Sequence, residues 1–153
     1  MFTGFISGGG GGETAEGLRK PTTTLTASAS LTNDEHSGQI ILVNHASDVT
    51  AIDLPAVADA KGMNFTLIMS SSLTADCVID AQANDKIRCF QFNVGDTAAN
   101  IGVWTEGRYL TYDESAGASG NGNIGDRIDV ICDGTYYHVI AFSKDPAVWG
   151  AAD

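Results

Sequence analysis

The stretch "GNGNIG" at 120–125 fits the G-x-G-x-x-G pattern of a dinucleotide-binding turn, with Gly120, Gly122 and Gly125 in place and Asp145 20 residues further on. That chemistry needs a strand before the glycines and a helix after them, whose N-terminus receives the pyrophosphate. Here a loop-like stretch precedes the motif and the strand-like "DRIDVIC" follows, so it reads as a flexible loop. "GASGN" at 117–121 misses the G-x-S-x-G nucleophile elbow because its fifth residue is Asn121. His36, His45 and His138 lack the i,i+2 or i,i+4 pairing of metal ligands, and His138 reads as a packed or interface residue. Asp76, Asp80, Asp126, Asp129 and Asp133 fall near strand ends without composing a twelve-residue calcium loop, although a calcium held between loops stays open. "NFT" at 64–66 is a glycosylation sequon by pattern, inside a strand-like run. The three cysteines, Cys77, Cys89 and Cys132, are odd in number, lack C-x-x-C spacing and lie in apolar stretches, so buried free thiols are expected. No catalytic, cofactor-binding or metal-binding set emerges, and an enzyme is not expected.

The elements that would carry these residues are strands. "NFTLIMSS" places Phe65, Leu67 and Met69 on one face, with Asn64, Thr66 and Ile68 on the other. "DVTAIDL" alternates Thr50, Ile52 and Leu54 with Val49, Ala51 and Asp53. "GDRIDVIC" groups Ile128, Val130 and Cys132 against Arg127, Asp129 and Ile131, and "TYYHVIAFS" sets Tyr137, Val139 and Ala141 against Tyr136, His138, Ile140 and Phe142. Further candidates are 22–31, 39–44, 75–81, 86–92, 100–105 and 107–112, which makes roughly ten short strands. Asp133-Gly134 between two alternating runs predicts a hairpin. The one helical candidate is "PAVADAKG", opened by Pro55 and stopped by Gly62. The expected fold is all-β, an antiparallel β-sandwich or jelly-roll-like domain over 21–145, with a tail at 146–153. Several strands, "QIILVN" and "YYHVI" among them, are apolar or uncharged on both faces. A two-layer body covers one face only, so the second face meets either a loop or another subunit, and several such strands together favour an oligomer.

At 153 residues with 19 acidic and 8 basic side chains, the chain carries a formal net charge of −11. Nucleic acid is a poor partner for it, since that binding depends on cationic side chains displacing counterions. No run approaches the roughly 18 apolar residues of a membrane span, no signal peptide is recognisable, and a soluble protein made in a cytosol is expected. Residues 1–20 read as a flexible arm. Phe2, Phe5 and Ile6 precede the unbroken run Gly8 to Gly12, which loses the most entropy on ordering and has no side chain to pack. The arm is either an incidental chain end or a docking peptide with its hinge.

The order "TLTASASLTNDEHSGQIILVNHASDVTAIDLPAVADAKGMNFTLIMSSS", a glycine-rich middle and "GDRIDVICDGTYYHVIAF" resembles a pattern of tailed-phage virion proteins over about 22–143. The matching positions are Leu31, Thr32, Ser37 and Gly38, then Ile52, Leu54, Pro55, Ala56, Gly62 and Phe65. Gly125, Ile128, Val130, Asp133, Gly134, Tyr137 and Val139 close the match. Tyr136 and Tyr137 stand where that pattern usually has Trp. Such domains are similar to capsid decoration (cement) proteins and to tail-fibre modules, and the chain is too short for a fibre shaft plus a tip. The resemblance implies a structural virion protein on the outer surface of a phage head, a homotrimer bound to the major capsid protein, with no cofactor, nucleic acid or membrane partner. Phe2, Phe5 and Ile6 would be its docking residues, with Trp149 as a further interface candidate. The alternative is a small receptor-binding module, with Trp104, Tyr109, Tyr112 and Trp149 available to stack on sugar.

Overall fold

The computed structural model describes residues 20–44, 50–71, 76–82, 85–93, 101–112, 124–144 and 149–152. The arm residues Phe2, Phe5 and Ile6 lie outside them. Within them the chain forms β1 (Thr22–Leu25), β2 (Ala29–Ser30), α1 (Asn33–His36), β3 (Gln39–Val43), β4 (Thr50–Asp53), β5 (Asn64–Met69), β6 (Cys77–Asp80), β7 (Ile87–Asn93), β8 (Ile101–Gly107), β9 (Tyr109–Tyr112), β10 (Arg127–Cys132), β11 (Tyr137–Ser143) and β12 (Trp149–Ala152). One sheet runs β1-β3-β5-β10-β11-β7-β8 and the other β12-β9-β6-β4-β2. No described helix is long and apolar enough to cross a membrane.

The fold is all-β, with mixed sheets where antiparallel ones were expected. The pairs β1–β3, β3–β5 and β7–β11 in one sheet, and β2–β4 and β4–β6 in the other, are parallel. The cause is the winding of the chain. From β1 to β6 each strand belongs to the sheet opposite its predecessor, so successive strands of either sheet point the same way. Parallel neighbours need a crossover, and here the crossover is a strand of the facing sheet rather than a helix. The run 22–31, read as a single strand, splits at Thr26 because its two ends pair in different sheets. The chain likewise changes sheets at Arg108, between β8 and β9.

Period-two alternation sets which side chains are buried. β5 buries Phe65, Leu67 and Met69, β10 buries Ile128, Val130 and Cys132, and β11 buries Tyr137, Val139 and Ala141. Ile52, Ile79, Leu110 and Tyr112 enter the same hydrophobic cluster from the second sheet. Each large apolar side chain removed from water stabilises the fold by roughly 1.5–3 kcal/mol, so this shared interior holds the layers together.

The helical candidate at 55–62 is a turn. Asp59 and Ala60 donate to the Ala56 carbonyl, but the Val57 N–H turns outward to the Asp85 carboxylate and Gly62, at φ +86°, donates to Cys132. A helix this short does not repay its nucleation, and tertiary partners take its backbone groups. The helix instead occupies Asn33–His36, between the strand candidates 22–31 and 39–44. Thr32 caps it, its hydroxyl accepting from the Glu35 N–H at 3.3 Å. The tail expected from residue 146 contains a strand, β12, antiparallel to β9 with Trp149 opposite Tyr112.

The predicted hairpin joins β10 to β11. Asp133 donates its N–H to the Tyr136 carbonyl at 3.1 Å, and its carboxylate accepts from the N–H groups of Thr135 and Tyr136 at 2.6 and 2.8 Å. Gly134 sits at φ +92°, where a Cβ would also come within 3.2 Å of the yielding Lys61 side chain. Gly134→Ala is expected to lower stability by about 1–2 kcal/mol through the left-handed backbone alone. An unchanged urea midpoint would show that the turn tolerates a Cβ.

Candidate interaction surface

Strands that bury one face in the shared interior present the other outward. On the seven-stranded sheet the described outer face interleaves apolar side chains with charged and polar ones. β10 and β11 show Ile131 and Ile140, 58% and 46% exposed, and β3, β5 and β7 add the half-buried Ile40, Leu42, Ile68, Phe90 and Phe92. Register aligns these positions in rows. Ile68, Arg127, Phe142 and Phe92 form one, and Thr66, Asp129, Ile140 and Phe90 the next. Phe92 stacks on Phe142 at 5.5 Å between ring centroids and meets Phe90 edge-on at 4.9 Å. The Arg127 guanidinium lies 4.7 Å above the Phe142 ring, which places a cation on the negative face of the π system.

Charges on this face pair with one another. Arg127 meets Asp129 at 3.5 Å, and Asp129 also accepts from the Thr66 hydroxyl at 2.7 Å. At the β10–β11 hairpin end, Arg88 donates to Glu106 at 2.8 Å and covers the Tyr136 ring at 3.4 Å, while His138 meets Asp133 at 2.8 Å. The hydrogen bond with His138, then those from the Tyr136 and Thr135 N–H groups, hold the Asp133 carboxyl at about 2, below its ordinary 3.8. The Glu106 hydrogen bond raises the affinity of Arg88 for its proton.

The outer face of the five-stranded sheet is different. Asp53, Asp80, Val78, Thr111 and Tyr109 occupy its outward positions, and none of its described positions carries an exposed large apolar side chain. Arg108 grips Asp80 through two 2.8 Å bonds, which lower the Asp80 pKa, and lies 4.7 Å over the Tyr109 ring.

The residues singled out for chemistry take structural places. Gly125 lies in a turn that leads into β10, with no helix after it, whereas Gly120, Gly122 and Asp145 lie outside the described residues. Asp126 is buried, accepting from the Tyr112 hydroxyl at 2.8 Å and the Lys144 N–H at 3.0 Å. Asp80, Asp126, Asp129 and Asp133 thus answer to different protein partners rather than to one centre. Among the described residues no cluster of three or more His, Cys, Asp or Glu is placed to hold a metal. His36 accepts from the Thr32 N–H at the end of α1, and His45 lies outside the described residues. Asn64 opens β5. Tyr112 is fully buried, so it is no sugar-stacking residue. Trp104 falls opposite Phe90 in the register, and the side chains of Trp104 and Trp149 lie outside what is described.

The apolar outer character of β3 and β11 was readable in "QIILV" and "YYHVI". The contribution of β7 is carried by "IRCFQF", where Arg88, Phe90 and Phe92 alternate with Ile87, Cys89 and Gln91. No family model, curated protein or solved structure matches the chain.

Two outcomes follow from this geometry. Cys77, Cys89 and Cys132 are buried free thiols, and burial pushes Cys77 and Cys89 up to about 12 and Cys132 upward. Thiol reagents should label them only as the protein unfolds, and fast native labelling would contradict the burial. Asp133 has a folded pKa below its unfolded one, so its stabilisation is present above pH 3.8 and is lost as pH falls toward 2. Asp133→Asn should therefore flatten that part of the acid-denaturation profile, measured as urea midpoint against pH; a variant that loses stability as steeply as wild type would exclude the role.

Proposed function

We propose that this chain is a structural virion protein, a capsid decoration (cement) protein that binds the outer surface of a phage head and bridges capsomers of the major capsid protein as a homotrimer. The observation that carries the reading is the open outer face of the seven-stranded sheet, with Ile131 and Ile140 exposed, on an otherwise acidic body. A broad face suits contact with other protein surfaces, further copies of this chain included, better than the enclosure of a small substrate, and leaves the arm to reach the capsid. The residues that resemble phage virion domains support the same body plan. Ile52, Leu54, Phe65, Ile128, Val130 and Tyr137 are core residues, and Asp133 and Gly134 make the turn between β10 and β11. The reading assigns no reaction.

In this reading Phe2, Phe5 and Ile6 are anchors for a groove on the capsid, tethered by Gly8 to Gly12. Five residues span at most about 18 Å, and three arms per trimer multiply a weak contact. The purified protein should co-sediment with expanded heads of the phage that encodes it and saturate at a fixed ratio to the major capsid protein. Deleting residues 1–12 should weaken that binding by at least about tenfold and leave the fold intact. Failure to bind heads, together with selective glycan binding on an array, would replace this reading with a receptor-binding module. Undiminished binding by the truncated chain would move the contact from the arm to the body.

A further inference from the structure

We infer that the outer face of the seven-stranded sheet is the surface on which further copies of this chain pack, three copies turning it toward a common threefold axis; the number three rests on the decoration reading, the surface does not. Its two exposed large apolar side chains lie on adjacent strands near its middle. β10 is the fourth of seven strands, and β10 and β11 carry the exposed Ile131 and Ile140. The pairs Arg88–Glu106 and His138–Asp133 lie toward the hairpin end, in the row that also holds Ile131, and Arg127–Asp129 lies on β10 itself, so apolar side chains and closed ion pairs alternate across the face.

Charge selects the occupant. The chain carries 19 acidic against 8 basic residues, so copies repel over most of their surface. On this face Arg88 and Arg127 are matched by Glu106 and Asp129, and His138 by Asp133, each pair closed within the face. A strongly basic partner calls for carboxylates without local cations, and an acidic one for cations without local carboxylates. A face whose described ion pairs close on themselves suits a copy of itself. The face is modest in area: six interstrand spacings of about 4.8 Å and strands roughly 20 Å long give on the order of 600 Å², which a threefold arrangement divides between two neighbours, so association is expected to depend on concentration. Among the described residues, the outer face of the second sheet, with Asp53 and Asp80 in its rows, has no exposed large apolar side chain.

The test is association of the full chain with single charges placed on the face. Wild type should sediment as a trimer at micromolar concentration. Ile131→Lys and Ile140→Glu, at positions that already face outward, should weaken association by about 10–100-fold, and Thr111→Glu on the opposite sheet should not. Circular dichroism and urea midpoints establish that each variant folds. Should a variant fail to fold, wild type itself supplies the readout. A soluble paramagnetic agent should broaden the Ile131 and Ile140 methyl signals in dilute samples and spare them in concentrated ones, with Ile124, 66% exposed, as reference. A monomeric wild type, folded variants that remain trimeric, or methyls broadened equally at all concentrations would overturn the inference. Head binding is scored separately. A face-dependent trimer that never binds heads ends the decoration reading alone, and a monomer that binds heads ends this inference alone.

Discussion

Two sheets packed against each other cover one face of every strand and leave the other to be accounted for. The rest of this molecule follows from that constraint. The inner faces are filled by Ile41, Val43, Leu67, Met69, Ile52, Ile79 and Leu110, all essentially without exposure, and they make one cluster across both layers. A one-residue slip in any strand would exchange its inner and outer sets, so the buried set also fixes register. The outer faces are free of that demand and diverge in character. One becomes polar, centred on the Asp80–Arg108 pair, and the other sets Ile68, Ile131, Ile140 and Phe142 among the Arg127–Asp129 pair and its polar neighbours.

Apolar packing is non-directional, so the relative placement of the layers needs polar contacts that tolerate little displacement. The Tyr112 hydroxyl, from the five-stranded sheet, reaches Asp126 at the entrance to β10, and the same carboxylate accepts the Lys144 N–H at the exit of β11. Tyr137, from the seven-stranded sheet, donates to the Pro55 carbonyl beyond β4 at 2.5 Å. Burial raises the Tyr137 pKa, so its phenol stays a donor. Within the larger sheet the buried Gln91 side chain donates to the Ser143 hydroxyl at 2.9 Å. Leaving a buried polar group unpaired costs about 1–3 kcal/mol, which makes a misplaced layer unfavourable even where apolar contacts would permit it.

Strand identity and facing were legible because period two is a local signal. Phe65, Leu67 and Met69, or Ile128, Val130 and Cys132, declare their face within six residues. Pairing direction was not legible, because it depends on which sheet the chain enters next, and the split at Thr26 leaves no change in alternation to read. The short helix could have been found, since Thr32 and Glu35 have the spacing of a capping box, but Asn33, Asp34 and Ser37 are equally at home in turns. β12 was missed because "WGAA" has no alternation, and its partner β9 supplies the ladder. The outer face was half legible. "QIILV" and "YYHVI" showed apolar residues on both sides, whereas their alignment with Phe90 and Phe92 required the parallel β7–β11 register.

That register bears on how an acidic chain can assemble at all. With a net charge of −11, approach of two copies is opposed at range, and the opposition decays over a Debye length of about 8–10 Å at ordinary ionic strength. The field is weakest where cations and carboxylates alternate closely, and β7, β8 and β10 bring Arg88, Glu106, Arg127 and Asp129 to one face. Repulsion elsewhere then acts as an orienting force, turning that face inward and the acidic surface outward. Apolar contact at Ile131 and Ile140 supplies attraction only after that orientation is reached. In the proposed trimer, charge therefore selects the geometry and burial supplies the affinity, and the two act through neighbouring positions of the same sheet.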